Sequence, residues 1–146
     1  MPTPVDKSRR TARWATTMTK WLATFTSSGV AWNLVEFAGP AGSESRGIVD
    51  LLAVRKDHRT VVAGLKRGDL FEVVLVQVKG GGARWPTRSD VDRLRAVARH
   101  HRARAVVLAE WKKGAAPRLY RLRRVLRSEW PARDCWEAVD PSDVFG

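Results

Sequence analysis

A chain of 146 residues, 44% of them hydrophobic, can close one domain of ordinary size around a real core. Cys135 is its only cysteine, which excludes an intrachain disulfide and a cysteine-rich zinc site, and no apolar stretch approaches the roughly 20 residues of a membrane-spanning helix. The net charge of +12 is uneven: residues 84–127 carry 14 Lys/Arg against 3 Asp/Glu, and residues 128–146 carry 1 Arg against 5 Asp/Glu. A basic surface of that density favours a polyanion, most commonly nucleic acid, over a membrane or an acidic ligand.

Taken in chain order, residues 1–8 read as a flexible basic arm. Over 9–27 the spacing of Trp14, Met18, Trp21, Leu22 and Phe25 predicts an amphipathic helix, ended by Ser27-Ser28-Gly29. VAWNLVEF (30–37) reads as a strand, and AGPAGSESRG as a flexible loop. GIVDLLAV (47–54) is a second strand, apolar enough to be buried on both faces. TVVAGL offers a short extra strand between turns at 56–59 and 66–69, and LFEVVLVQVK (70–79) is the next strand. Three glycines follow. Residues 89–101 predict a helix with Ser89 as N-cap, Asp92 three residues on, and Val91, Leu94 and Ala98 as its inner stripe. ARAVVLAEW (103–111) is a strand, RLYRLRRV an edge strand or short helix, and the tail to Gly146 is loop-like. A strand–helix–strand crossover implies that strands 70–79 and 103–111 run parallel. The expectation is an α/β domain with a central mixed β-sheet flanked by helices.

Two polar interruptions carry the chemistry. Asp50 is the one polar side chain in GIVDLLAV, and a lone carboxylate inside such a strand is costly unless it meets a cation, a donor or a metal. Gln77 and Lys79 point to one face of the later strand, just where it ends. If the two strands are neighbours, Asp50 supplies a carboxylate oxygen, Gln77 an amide oxygen and Val78 a backbone carbonyl to a hard cation such as Mg²⁺. Lys79 would neutralise charge and orient a water or a phosphate oxygen. The glycines beyond would admit a nucleic-acid backbone closely.

Asp50, a 26-residue spacer and Gln77-x-Lys79 on an apolar strand resemble the PD-(D/E)XK nuclease superfamily, over about residues 14–111. The glycine/serine loop before the aspartate is similar to archaeal-type Holliday-junction resolvases, and Q-x-K to the Mrr-like restriction branch. The resemblance implies a restriction-endonuclease-like core of order αβββαβ spanning 9–127. It also implies Asp50 and Gln77 as metal ligands, Lys79 as the catalytic lysine, and Mg²⁺, with Mn²⁺ able to substitute. Val49 stands where the family has proline. Many relatives add a glutamate in the first helix; residues 9–27 contain no acid, so Glu36 or Glu44 would have to substitute, with Glu36 preferred for its place on a strand.

The remaining candidates follow from the charge. Arg84, Arg88, Arg95, Arg99 and Arg102 would contact phosphates, the last three on one helix face, and Trp85 would stack on a base or wedge a junction. His58, His100 and His101 read as surface residues. The expected activity is a Mg²⁺-dependent endonuclease on DNA, selective for branched structure, cytoplasmic and homodimeric, with the apolar edge strand, Trp130 and Trp136 lining the interface. The alternatives are a nuclease-fold binding module without catalysis, or a subunit of a larger DNA-processing or defence complex docked through the acidic tail at 128–146.

Overall fold

The computed structural model describes residues 3–37 and 47–146. Glu44 and most of the loop around it lie outside the described residues. In chain order the elements are helix α1 (Pro4–Thr26), strands β1 (Asn33–Glu36), β2 (Leu51–Lys56) and β3 (Phe71–Gly80), and helix α2 (Arg88–His100). Strands β4 (Ala105–Trp111) and β5 (Arg118–Leu122), a 3₁₀ turn (Ala132–Cys135), strand β6 (Trp136–Val139) and helix α3 (Pro141–Phe145) complete it. The first six elements follow the expected order αβββαβ. The six strands form one mixed sheet in sequence order, antiparallel throughout except that β3 and β4 run parallel, as the crossover requires.

The sheet separates two apolar layers. On one side Leu51, Ala53, Val74, Val76, Val107 and Ala109 pack against α1 and α3. On the other, Leu75, Val106, Leu108 and Leu122 pack against Val91 and Leu94 of α2 and against Cys135 and Trp136. Strands β3 and β4 are covered on both faces, which is why they read as apolar runs rather than alternating ones.

Helix α1 begins five residues before the expected start, and of the expected inner stripe Trp14, Met18 and Leu22 pack against the core while Trp21 and Phe25 do not. Ala15, Thr19 and Ala23 are buried, whereas Trp21 and Phe25 are exposed and stack edge-on at 5.9 Å. Small side chains let the helix lie close to the sheet. Thr19 keeps its hydroxyl satisfied by donating to the Ala15 carbonyl at 2.7 Å and accepting from the Trp111 indole at 2.7 Å. That close approach explains the first of the three glycines. A Cβ on Gly80 would lie 3.1 Å from both the Thr11 carbonyl oxygen and the Ala15 Cβ. Gly81 takes a left-handed φ of 59° in the turn, and only at Gly82 would a Cβ meet open space. The glycines therefore serve helix packing and a turn before they serve access.

Other boundaries differ for local reasons. Asp50 stands one residue before β2. TVVAGL forms turns rather than a strand. Helix α2 is capped by Thr87, not Ser89: Thr87 Oγ1 accepts from the Asp90 amide at 3.1 Å and Asp90 Oδ2 accepts from the Thr87 amide at 2.9 Å, a reciprocal box placed two residues earlier, directly after Pro86. RLYRLRRV contributes strand β5, which lies inside the sheet between β4 and β6 rather than at its edge.

The loop-like tail is the largest departure. Val144 and Phe145 are fully buried beneath α1, and donors on three other segments hold the last carbonyls. Trp32 Nε1 donates to Phe145 O at 3.0 Å, Arg55 Nη2 to Gly146 O at 3.1 Å, and Arg104 to Val144 O. Trp136 is buried, so it offers no exposed surface to a partner, and Trp130 packs half-buried against the same layer. Three of the five acids of this segment have local partners. Glu137 pairs with Arg121 at 3.0 Å and Arg123 at 3.3 Å, and Asp140 and Asp143 cap α3.

Gly80→Ala is expected to destabilise the protein by about 1–3 kcal/mol, because the added methyl drives α1 off the sheet. Gly82→Ala, by contrast, should change the denaturant midpoint little.

Candidate active site

The candidate site lies where β3 ends. The chain entering β2 is pinned between its neighbours: the Phe37 amide donates to Asp50 O at 3.2 Å and the Asp50 amide donates to Val76 O at 3.0 Å. From there the Asp50 side chain reaches β3, and Oδ2 accepts from the Val78 amide at 2.8 Å. The carboxylate thus replaces a backbone carbonyl at the end of the β2–β3 ladder. That satisfies one of its oxygens and fixes its direction.

Gln77 stands opposite this entry. Its Nε2 donates to Ile48 O at 3.2 Å. A carbonyl can only accept, so the amide must turn its NH₂ there, and this settles which side carries the oxygen. Gln77 Oε1 is buried with no hydrogen-bond partner. Two other buried side-chain atoms among the described residues share that condition, Arg104 Nε and Trp136 Nε1, but both are donors. Gln77 Oε1 is the acceptor of the three, hence the one that suits a cation. Gln77 and Asp50 approach each other through neighbouring backbone: Gln77 bonds to Ile48, two residues before Asp50, and Asp50 bonds to Val78, one residue after Gln77.

Lys79 shares the face of Gln77 and is 7% exposed. Its ammonium donates to Gly81 O at 3.3 Å and lies 3.4 Å from Glu110 Oε2. The parallel register sets Glu110 of β4 directly opposite Lys79. Glu110 is 5% exposed and accepts from the Trp85 indole at 2.9 Å. Burial alone pushes the Glu110 carboxyl up; the Trp85 N–H and the Lys79 charge together outweigh it and leave the carboxyl below its ordinary value. Glu110 is therefore an anion at neutral pH, and its charge offsets that of Lys79.

Sequence reasoning passed over Glu110, although the signal was present. It is the one acid in the apolar run VVLAEW, the same anomaly that singled out Asp50.

The structure does not bring Glu36 to this site. Its register partner is Leu51 and its strand neighbour Leu34 packs in the α1 layer, so Glu36 points to the opposite face, where it pairs with Lys20 at 2.8 Å. Among the described residues no group of three or more His, Cys, Asp or Glu side chains could hold a metal ion.

The expected nucleic-acid contacts divide in the same way. Trp85 is wedged: Arg133 covers its ring at 3.8 Å and Tyr120 meets it edge-on at 4.7 Å. Arg88 spends its Nη1 on Arg127 O, Trp130 O and Cys135 Sγ, at 3.2, 3.0 and 3.3 Å, clamping the loop between β5 and β6. Arg84 is exposed beside the glycine turn. Arg95 is half-buried on α2, and Arg99 and Arg102 are exposed at its C-terminal end. His100 and His101 stack edge-on at 4.8 Å on that same exposed end, and His58 is exposed.

No family model matches the chain, and no curated protein matches it. Among solved structures it is similar to Hjc of Archaeoglobus fulgidus, a Holliday junction resolvase from an archaeal hyperthermophile. The two are 14% identical over 90% of this chain and 97% of that one, with a TM-score of 0.46.

Because the Glu110 pKa is depressed on folding, its contribution is present above the unfolded value near 4.3 and is lost as pH falls through the lower folded value. Thermal melts of Glu110→Gln should therefore show a flatter dependence on pH than the parent below about pH 5. Equal slopes would mean that the carboxylate is not held as described.

Proposed function

We propose that this protein is a metal-dependent endodeoxyribonuclease of the PD-(D/E)XK type that hydrolyses DNA phosphodiesters, with branched DNA such as a four-way junction as its preferred substrate. The observation that carries the reading is the juxtaposition at the end of β3: a fixed carboxylate on Asp50, a buried amide oxygen on Gln77 with no partner, and the ammonium of Lys79. One carboxylate and one amide oxygen, with the Val78 carbonyl in reserve, form a hard oxygen donor set that suits Mg²⁺, or Mn²⁺ in its place. Asp50 and Gln77 would hold the ion, and when bound it supplies Lewis acidity at the scissile phosphate.

The chain's own groups do the rest. Lys79 presents a positive charge toward the non-bridging oxygens, where negative charge grows in the transition state. Glu110 and the Gly81 carbonyl hold that ammonium in place, and Trp85 in turn holds Glu110. The low exposure of the pair keeps its field from being screened by water. A homodimer suits two symmetric cuts, and Trp21, Phe25, Val35 and Phe37 leave exposed apolar surface on α1 and around the edge strand β1.

A specific observation favours a second reading, a nucleic-acid-binding module without catalysis. Glu36 is turned to Lys20, and among the described residues no group of three metal-ligating side chains gathers at Asp50. Cleavage of supercoiled plasmid and of a labelled four-way junction, in Mg²⁺ and then Mn²⁺, separates the two. The nuclease reading expects metal-dependent cutting that falls at least about a hundredfold in Asp50→Asn, which keeps the bond from Val78 but removes the charge. Tight, salt-sensitive binding with no cutting in either metal would establish the second reading instead.

A further inference from the structure

We infer that the nucleic-acid backbone is held by a rim of four cations at the ends of β3 and β4, namely Arg84, Lys112, Lys113 and Arg118, and not along helix α2. The inference rests on reading the site as one that receives nucleic acid, and it locates the surface that does so.

The parallel register shows why these four belong together. Trp111 is the partner of Gly80, and the Gly81 amide donates to Trp111 O at 2.9 Å. Lys112 and Lys113 therefore leave the sheet beside the glycine turn that follows Lys79. Arg118 opens β5 as the register partner of Glu110, on the same face as Lys79. Arg84 leaves the other end of the glycine turn. All four are exposed, and none of them forms an ion pair among the described residues. Glu110, the acid nearest to them in register, is buried and committed to Lys79 and Trp85. Exposed cations without counter-charges, gathered around a buried ammonium, create a positive potential suited to phosphates and indifferent to base sequence.

The cations of α2 are placed otherwise. Arg88 is spent on the loop between β5 and β6, and Arg93 lies 3.7 Å from Asp90. Arg99 and Arg102 sit at the far end of the helix. The Arg104 amide donates to Val73 O at 2.8 Å, which sets this end beside the residue six positions before Lys79 on β3, roughly 20 Å along the strand. A strand of DNA engaged at Lys79 meets the rim first.

Fluorescence anisotropy of a labelled DNA duplex, measured without divalent metal across a series of salt concentrations, tests this apart from catalysis. The comparison is between a variant with Arg84, Lys112, Lys113 and Arg118 all changed to Ser and one carrying Arg99→Ser with Arg102→Ser, both checked for folding by circular dichroism. Each phosphate contact contributes about 0.9 to the slope of log affinity against log salt. The rim variant should therefore lose three to four units of slope and more than about tenfold in affinity at low salt, while the helix variant keeps the parent slope. A rim variant that binds like the parent, a helix variant that loses as much, or a parent that binds no duplex would each overturn the inference. Metal-dependent cutting plays no part in the readout, so a protein that binds through the rim but never cuts would sink the nuclease reading and leave this one standing.

Discussion

An ammonium taken out of water must be given a counter-charge, and the structure around Lys79 is organised by that requirement. The parallel pairing of β3 with β4 supplies it by setting Glu110 directly opposite. Glu110 then needs its own partner, since one ion pair does not fill a carboxylate's capacity to accept, and the Trp85 indole provides it. Trp85 is immobilised in turn between Arg133 and Tyr120. A chain of contacts thus runs from the candidate catalytic lysine through β4 and the loop before α2 to the segment before β6. Removing one partner of such a pair strands the other charge in a low-dielectric setting, which costs more than the pair itself contributes.

The two layers flanking the sheet divide the labour. On the α1 side small residues bring the helix close, Gly80 permits the contact, and the last residues of the chain are drawn in beneath it by Trp32, Arg55 and Arg104. Arg55 also pairs with Glu72 and lies 4.1 Å over the Trp32 ring, so its buried charge is satisfied on several sides. The α2 side carries the polar groups of the candidate site. Gln77, Lys79 and Glu110 all project there, at the one end of the layer where the apolar packing gives way to glycines and exposed lysines.

Much of this was legible from local pattern. The apolar runs of β2, β3 and β4 declared themselves, the crossover dictated that β3 and β4 lie parallel, and Asp50, Gln77 and Lys79 stood out as polar residues in apolar strands. What escaped depended on partners distant in sequence. Val144 and Phe145 lie in a short, acidic, proline-containing stretch, and nothing local reveals that three segments 40 or more residues away hold its carbonyls. The inner face of α1 was legible in part: Trp14, Met18 and Leu22 pack against the core as their spacing predicts, whereas Trp21 and Phe25 stay exposed and the small Ala15 and Ala23, which carry little weight in a hydrophobic pattern, are fully buried. Glu36 looked oddly placed on its strand only while Lys20 was unseen. Glu110 was within reach, since the argument applied to Asp50 applies to it unchanged.

The central claim is that Asp50 and the unpartnered oxygen of Gln77 form a cation site. Crystals soaked in Mn²⁺ and measured at a wavelength where manganese scatters anomalously would test it most directly. The account predicts one strong anomalous peak within coordination distance of an Asp50 carboxylate oxygen and Gln77 Oε1, absent in crystals of Asp50→Asn. A map with no peak there, and with Gln77 Oε1 hydrogen-bonded to a protein donor or an ordered water, would contradict it.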